Sequence, residues 1–138
     1  DGKDYDSLSA GWKTSVLLDL ISGYSEDTAP LIIDQPEDNL ANSYINSGLI
    51  TAIKKIKEHK QVIIVSHNAT IPMLGDAQNI ILCRNDEKIR ISSSPLEGKI
   101  DEKSVVDHIA TITDGGKTSI KKRVKKYNMK KFEETIWS

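Results

Sequence analysis

LIIDQPEDNLAN occupies residues 31 to 42. Pro30 precedes this apolar run, Asp34 ends it and Pro36 comes two residues later, so it is too short for a helix, and Ala29 to Asp34 reads as a buried strand. An acid at the end of an apolar strand is costly to bury unless it meets a cation or hydrogen bonds, which makes Asp34 a candidate Mg²⁺ ligand. The plainer alternative is a turn cap before Pro36. Working outward, residues 42 to 58 carry Ile45, Leu49, Ile53 and Ile56 at helical spacing, with Asn42 or Ser43 as the cap. Gln61 to Ser66, containing VIIV, reads as a second buried strand. Upstream, residues 10 to 22 place Val16, Leu17, Leu20 and Ile21 on one helical face between an N-cap at Ser9 and a stop at Gly23. Downstream, Asn79 to Cys83 and Lys88 to Ser92 flank an Asn-Asp-Glu turn and predict a hairpin, with Cys83 as a small core hydrophobe. Residues 101 to 113 and 118 to 127 have helical spacing and are separated by Gly115-Gly116. The order α-β-α-β-β-β-α-α implies an α/β layered domain with parallel central strands, whose chemistry belongs at the strands' carboxyl ends.

Composition sets bounds on this reading. The chain has 138 residues, 38% of them apolar, with 19 Lys+Arg against 20 Asp+Glu. That suffices for one domain with a core needing neither disulfides nor a structural metal. A single Cys permits no internal disulfide, which fits a reducing compartment. No apolar run approaches a membrane span and no signal peptide opens the chain, so a cytoplasmic location is expected. The balance of charge hides an asymmetry: residues 115 to 131 hold eight Lys/Arg and no acid. Such a tail can meet nucleic acid or an acidic surface, or be a solvated helical face.

Three stretches together are more specific than any one alone. Leu8-Ser9-Ala10-Gly11-Trp12-Lys13 opens a helix, LIIDQPEDNLAN comes next, and VIIVSHNA runs from Val62 to Ala69. In order and spacing they resemble the signature motif, the Walker B strand with its D-loop, and the switch-histidine loop of ABC-type ATPase heads. More specifically, the chain resembles SMC-like ATPases whose Walker B reads DQPEDxLD, including the TrlF-type AAA-like ATPases associated with anti-phage defence. GDAQNIIL, LEGKID and ITDGGKTSIKKRVKKY look like the C-terminal portion of that group. The resemblance implies a P-loop NTPase, ABC-like C-terminal lobe over residues 1 to 114, mainly a parallel sheet flanked by helices and ending in a hairpin and C-terminal helices. A basic helical tail would cover residues 115 to 138.

The resemblance also assigns roles. Ser9, Ala10, Gly11, Trp12 and Lys13 would face the γ-phosphate of ATP held by the opposite protomer, where a helix N-terminus favours an anion and Gly11 lets phosphate approach the backbone. Trp12 stands where many ABC proteins have Gln, and alone Ser9-Ala10-Gly11 is an ordinary N-cap. Asp34 would be the Mg²⁺-site carboxylate. Gln35 replaces the usual catalytic Glu, and an amide cannot serve as a general base. It would orient water, while Glu37 or the phosphate itself accepts the proton. His67 would be the switch histidine, although a strand-end histidine also serves structure. Asn39, Leu40 and Ala41 would form the D-loop, Ala41 replacing the usual Asp. His59 and His108 read as surface or packing residues.

Gly116-Lys117-Thr118 is no Walker A, because Thr111 stands where the first Gly should be. The chain begins at Asp1 inside a working motif, so the Walker A lobe is expected upstream, in a longer protein. The expected whole is an ATP-binding and ATP-hydrolysing head that homodimerises around ATP and Mg²⁺ and acts on DNA or a nuclease partner, away from membranes. This chain alone should be inactive. The alternative is a nucleotide-gated interaction module with negligible hydrolysis.

Overall fold

The computed structural model describes residues 9–24, 26–38 and 40–113, with Lys121 and Lys125. The basic tail otherwise lies outside the described residues, as do Asn39 and the Gly115-Gly116 stop. The chain divides after Ser66 into two compact units.

In the first unit, helix α1 spans Ala10–Gly23 and starts as expected at Ser9, whose hydroxyl accepts from the Trp12 amide at 3.4 Å. Its buried face differs from the expected one: Ser15 and Leu18 turn inward, while Leu17 and Leu20 stay exposed. Strands β1 (Leu31–Asp34) and β2 (Val62–Val65) pair in parallel, Leu31 beside Val62 and Asp34 beside Val65. The sequence predicts two buried strands, yet each alternates between half-buried and exposed positions. Ile32, Ile63 and Val65 present an apolar face to solvent because the runs are apolar on both sides and only one side is covered.

The helical stretch after β1 is not uniform. Helix α2 covers only Asn42–Tyr44, a π-helical segment comes next at Ile45–Leu49, and α3 completes it at Ile50–Ile56. Apolar spacing could not reveal this, since Ile45, Leu49, Ile53 and Ile56 are all buried as a plain helix would have them. The local cause is side-chain competition. Asn46 Nδ2 donates to the Asn42 carbonyl at 2.7 Å and Ser47 Oγ to the Ser43 carbonyl at 2.9 Å, occupying the oxygens that a regular α-helical turn would use. The N-cap is Ala41 rather than Asn42 or Ser43, and it makes no side-chain capping bond.

In the second unit, α4 (Thr70–Leu74) leads to β3 (Ile80–Asp86) and β4 (Lys88–Ser94), which form the expected antiparallel hairpin. Glu87 takes its turn at φ 61°. A second, two-residue hairpin, β5 (Lys99–Ile100) with β6 (Lys103–Ser104), closes through Asp101 and Glu102, both at positive φ. Helix α5 spans Val105–Ile112, shorter than expected because residues 101–104 belong to that turn and strand. Its cap is reciprocal: Ser104 Oγ accepts from the Asp107 amide at 3.0 Å and donates to the Asp107 carboxylate at 2.6 Å. Ala69, Met73, Leu82, Leu96, Ile100, Val105, Val106 and Ile109 form one buried cluster. His108 packs as expected, its Nε2 on the Ile100 carbonyl at 2.8 Å. Cys83 is exposed rather than in the core, because the hairpin turns Leu82 inward and its neighbour outward.

Candidate functional site at the strand ends

The register that sets Asp34 beside Val65 brings the two polar strand ends together. The ladder runs one residue further, with the Gln35 amide donating to the Val65 carbonyl at 2.8 Å. There the chain reverses. Gln35 adopts φ 45°, a left-handed conformation uncommon for a residue with a Cβ, and its carbonyl accepts from the Asp38 amide at 3.1 Å. The next turn is fastened by the Leu40 amide on the Glu37 carbonyl, also at 3.1 Å. These turns sort the side chains: Asp34 and Gln35 are exposed, while Pro36 and Glu37 are buried.

Glu37 is 7% exposed and its Oε1 accepts from Ser66 Oγ at 2.6 Å. A carboxylate so removed from water requires hydrogen-bond donors, and this one comes from the residue immediately before His67. The side-chain bond therefore joins the Asp34-to-Glu37 turn to the end of β2. In the sequence Ser66 stands out only as part of a polar strand end; the signal for its role is its place directly ahead of His67. His67 itself is exposed and opens the second unit, where the Asn68 side chain accepts from the Thr70 amide at 2.8 Å.

The other expected residues form a separate locus at the start of α1. Ser9, Ala10 and Trp12 are exposed, and Gly11 and Lys13 half-buried. The first turn of α1 carries no acid, and the positive end of its dipole favours an anion. Ser9 uses its oxygen as an acceptor for the Trp12 amide, which leaves its O–H available as a donor. Of the residues expected to form a D-loop, Leu40 is half-buried, Ala41 exposed, and Asn39 outside the described residues.

Among the described residues no group of three or more His, Cys, Asp or Glu side chains could hold a metal ion by itself. Mg²⁺ in nucleotide sites is bound by one or two carboxylates together with phosphate oxygens and water, and an exposed carboxylate at a strand's carboxyl end fits that use. No helix among the described residues is long and apolar enough to cross a membrane. No family model, curated protein or solved structure matches the chain.

Proposed function

We propose that the chain is the C-terminal lobe of an ABC/SMC-like ATPase head, one that dimerises around ATP and works in DNA-related or anti-phage defence processes. The observation that carries this reading is the arrangement at the strand ends. Asp34 faces solvent at the carboxyl end of β1, and the turn after it is tied through Glu37 to Ser66, next to His67. Two features add support. The start of α1 offers a helix N-terminus with no acid in its first turn and a hydroxyl donor, suited to a phosphate. The uncovered apolar face of β1 and β2 suits a sheet completed by another lobe, as parallel strands are normally covered on both sides.

In this reading Mg²⁺ would arrive with ATP, be held by Asp34, and neutralise phosphate charge. Ser9 and Gly11 bind the γ-phosphate of the partner's nucleotide. Gln35, exposed on its left-handed turn, orients the attacking water through its amide. The water oxygen attacks the γ-phosphorus, the bridging oxygen leaves with ADP, and the proton passes to a phosphate oxygen or to Glu37. Glu37 also holds the end of β2 through Ser66. The whole protein would need the upstream Walker A lobe.

The second reading, a clamp that binds ATP with negligible turnover, is favoured by Gln35, because the residue on the exposed turn after Asp34 is an amide. Asp34→Ala in the full-length protein tests the main reading. Mg²⁺-dependent phosphate release should fall to background, and wild-type turnover by the variant would remove Asp34 from the chemistry. ATP binding and dimerisation by a wild-type protein with no phosphate release would favour the clamp.

A further inference from the structure

We propose that Tyr44 is a positioning residue that couples the D-loop to the start of α1, so that ATP-driven dimerisation depends on a hydrogen bond outside the nucleotide-contacting residues. This rests on the reading of the chain as an ATPase head. Tyr44 lies three residues after Ala41, at the end of α2, and its hydroxyl is hydrogen-bonded to Ser15 Oγ of α1 at 2.5 Å. Ser15 is 9% exposed and sits six residues after the Ser9 cap. One side-chain contact thus joins two helices, each of which begins at a loop assigned to nucleotide.

A glycine one helical turn downstream leaves room for the Tyr44 ring. An added Cβ at Gly48 would stand 2.3 Å from Tyr44 Cε2 and 2.7 Å from Cδ2 and Cζ, so any side chain there would displace the ring. Gly48, four residues after Tyr44, belongs to the π-helical segment. Such segments are rare and concentrate at functional sites. A groove of about 410 Å³, lined by Ser15, Asp19, Tyr44, Ser47, Thr51 and Lys55 among others, opens beside the contact and gives a released ring somewhere to move. A purely structural tie between two helices needs no hydroxyl pair, since apolar contact would do. A hydroxyl pair specifies one register between the helices, and that is what transmission from D-loop to α1 requires.

The test compares full-length wild type with Tyr44→Phe, Ser15→Ala and the double variant. Three quantities are measured: ATP binding by the monomer, the ATP concentration for half-maximal dimerisation by light scattering, and the thermal midpoint. Each single substitution should raise the dimerisation midpoint about two- to tenfold, the scale of one net hydrogen bond, and the double variant should add nothing further. Monomer ATP binding should hold, and the thermal midpoint should fall by no more than a few degrees, because the same bond is already present in the unpaired chain. The proposal is overturned if Tyr44→Phe dimerises as wild type does, if the two effects multiply in the double variant, or if the loss only follows a larger fall in thermal midpoint. The wild-type arm separates the two ideas. Wild type that neither binds ATP nor dimerises overturns the ATPase head and this role with it, whereas wild type that responds beside an unaltered Tyr44→Phe overturns the coupling alone.

Discussion

The two units solve the burial problem differently. In the second, eight buried residues from α4, α5 and the strands and turns around them meet in one cluster, and α5 begins with a reciprocal cap. In the first, the buried aliphatic residues among those described lie on helices, and neither β1 nor β2 contributes a buried position. The strands that carry the candidate chemistry are therefore the least covered elements of their unit's interior. Their loops are held by hydrogen bonds, Gln35 to Val65 and Ser66 to Glu37, more than by apolar packing on the outer face.

The sharpest way to break the comparison is to remove equivalent bulk from each core. Ile56 in the first unit is 0% exposed and Met73 in the second 1%. Replacing either with Ala should cost about 2–5 kcal/mol in denaturant unfolding. Amide exchange should then show the loss in the segment that carries the substitution; a cost below about 1 kcal/mol for Ile56→Ala would mean that the first unit has no cooperative core.

The uncovered face gives the next effect. Ile32 is 69% exposed, so Ile32→Asn should change the stability of this chain by no more than about 0.5 kcal/mol. If the chain is one lobe of a longer head, as proposed, and a further lobe covers that face, the same substitution in the longer protein should cost about 1.5–3 kcal/mol. Equal small effects in both would leave the face as solvent-exposed surface and remove one support for the proposed architecture.

The helix starts supply a smaller contrast. Ser104→Ala should lose about 1 kcal/mol by leaving the Asp107 amide without its acceptor, while Ala41→Asp should gain a comparable amount by capping a helix that has no side-chain cap. Thermal midpoints moving in opposite directions would sharpen the difference between the units, and a destabilising Ala41→Asp would show that this loop cannot take up capping geometry.

The smallest expected effect lies in the acid limb of stability. The Ala29 backbone amide, and then Lys60, hold the Asp27 carboxyl below the ordinary 3.8. A hydrogen bond from Arg84, and then its charge, do the same for Asp101. A carboxyl that titrates lower folded than unfolded stabilises fully above its unfolded pKa, and the contribution fades as pH falls through the folded value. Asp27→Asn and Asp101→Asn should therefore flatten slightly the decline in thermal midpoint between about pH 5 and pH 2, with these pairs, whose carboxylates are exposed, adding little at neutral pH. An unchanged slope would leave both pairs without measurable weight.

The parts of the fold legible in the sequence are those set by local forces. Helix α1, the β3–β4 hairpin and the separate strands β1 and β2 could be read because caps, turn residues and apolar runs are encoded within a few residues of one another. The cover over β1 and β2 could not, because an apolar run states a demand for burial without stating whether the chain meets it. Helix α4 escapes sequence reading because Pro72 falls inside a five-residue element, too short to show a period. The π-helical segment is hidden by apolar spacing, although Asn46 and Ser47, polar residues four positions after Asn42 and Ser43, are a usable signal. At the candidate site, Asp34 is legible as an acid ending a strand. The Ser66 to Glu37 bond spans 29 positions and depends on strand register, which no local pattern specifies.

The outward turn of Cys83 has a practical side. It is the only thiol in the 138 residues and it is exposed on β3, so a maleimide dye would couple to this chain at one defined atom without any engineered cysteine. A second dye introduced at an exposed position of the first unit would turn the molecule into a distance gauge. Energy transfer between the two would then record, in single molecules, whether adding nucleotide changes the separation of the two units.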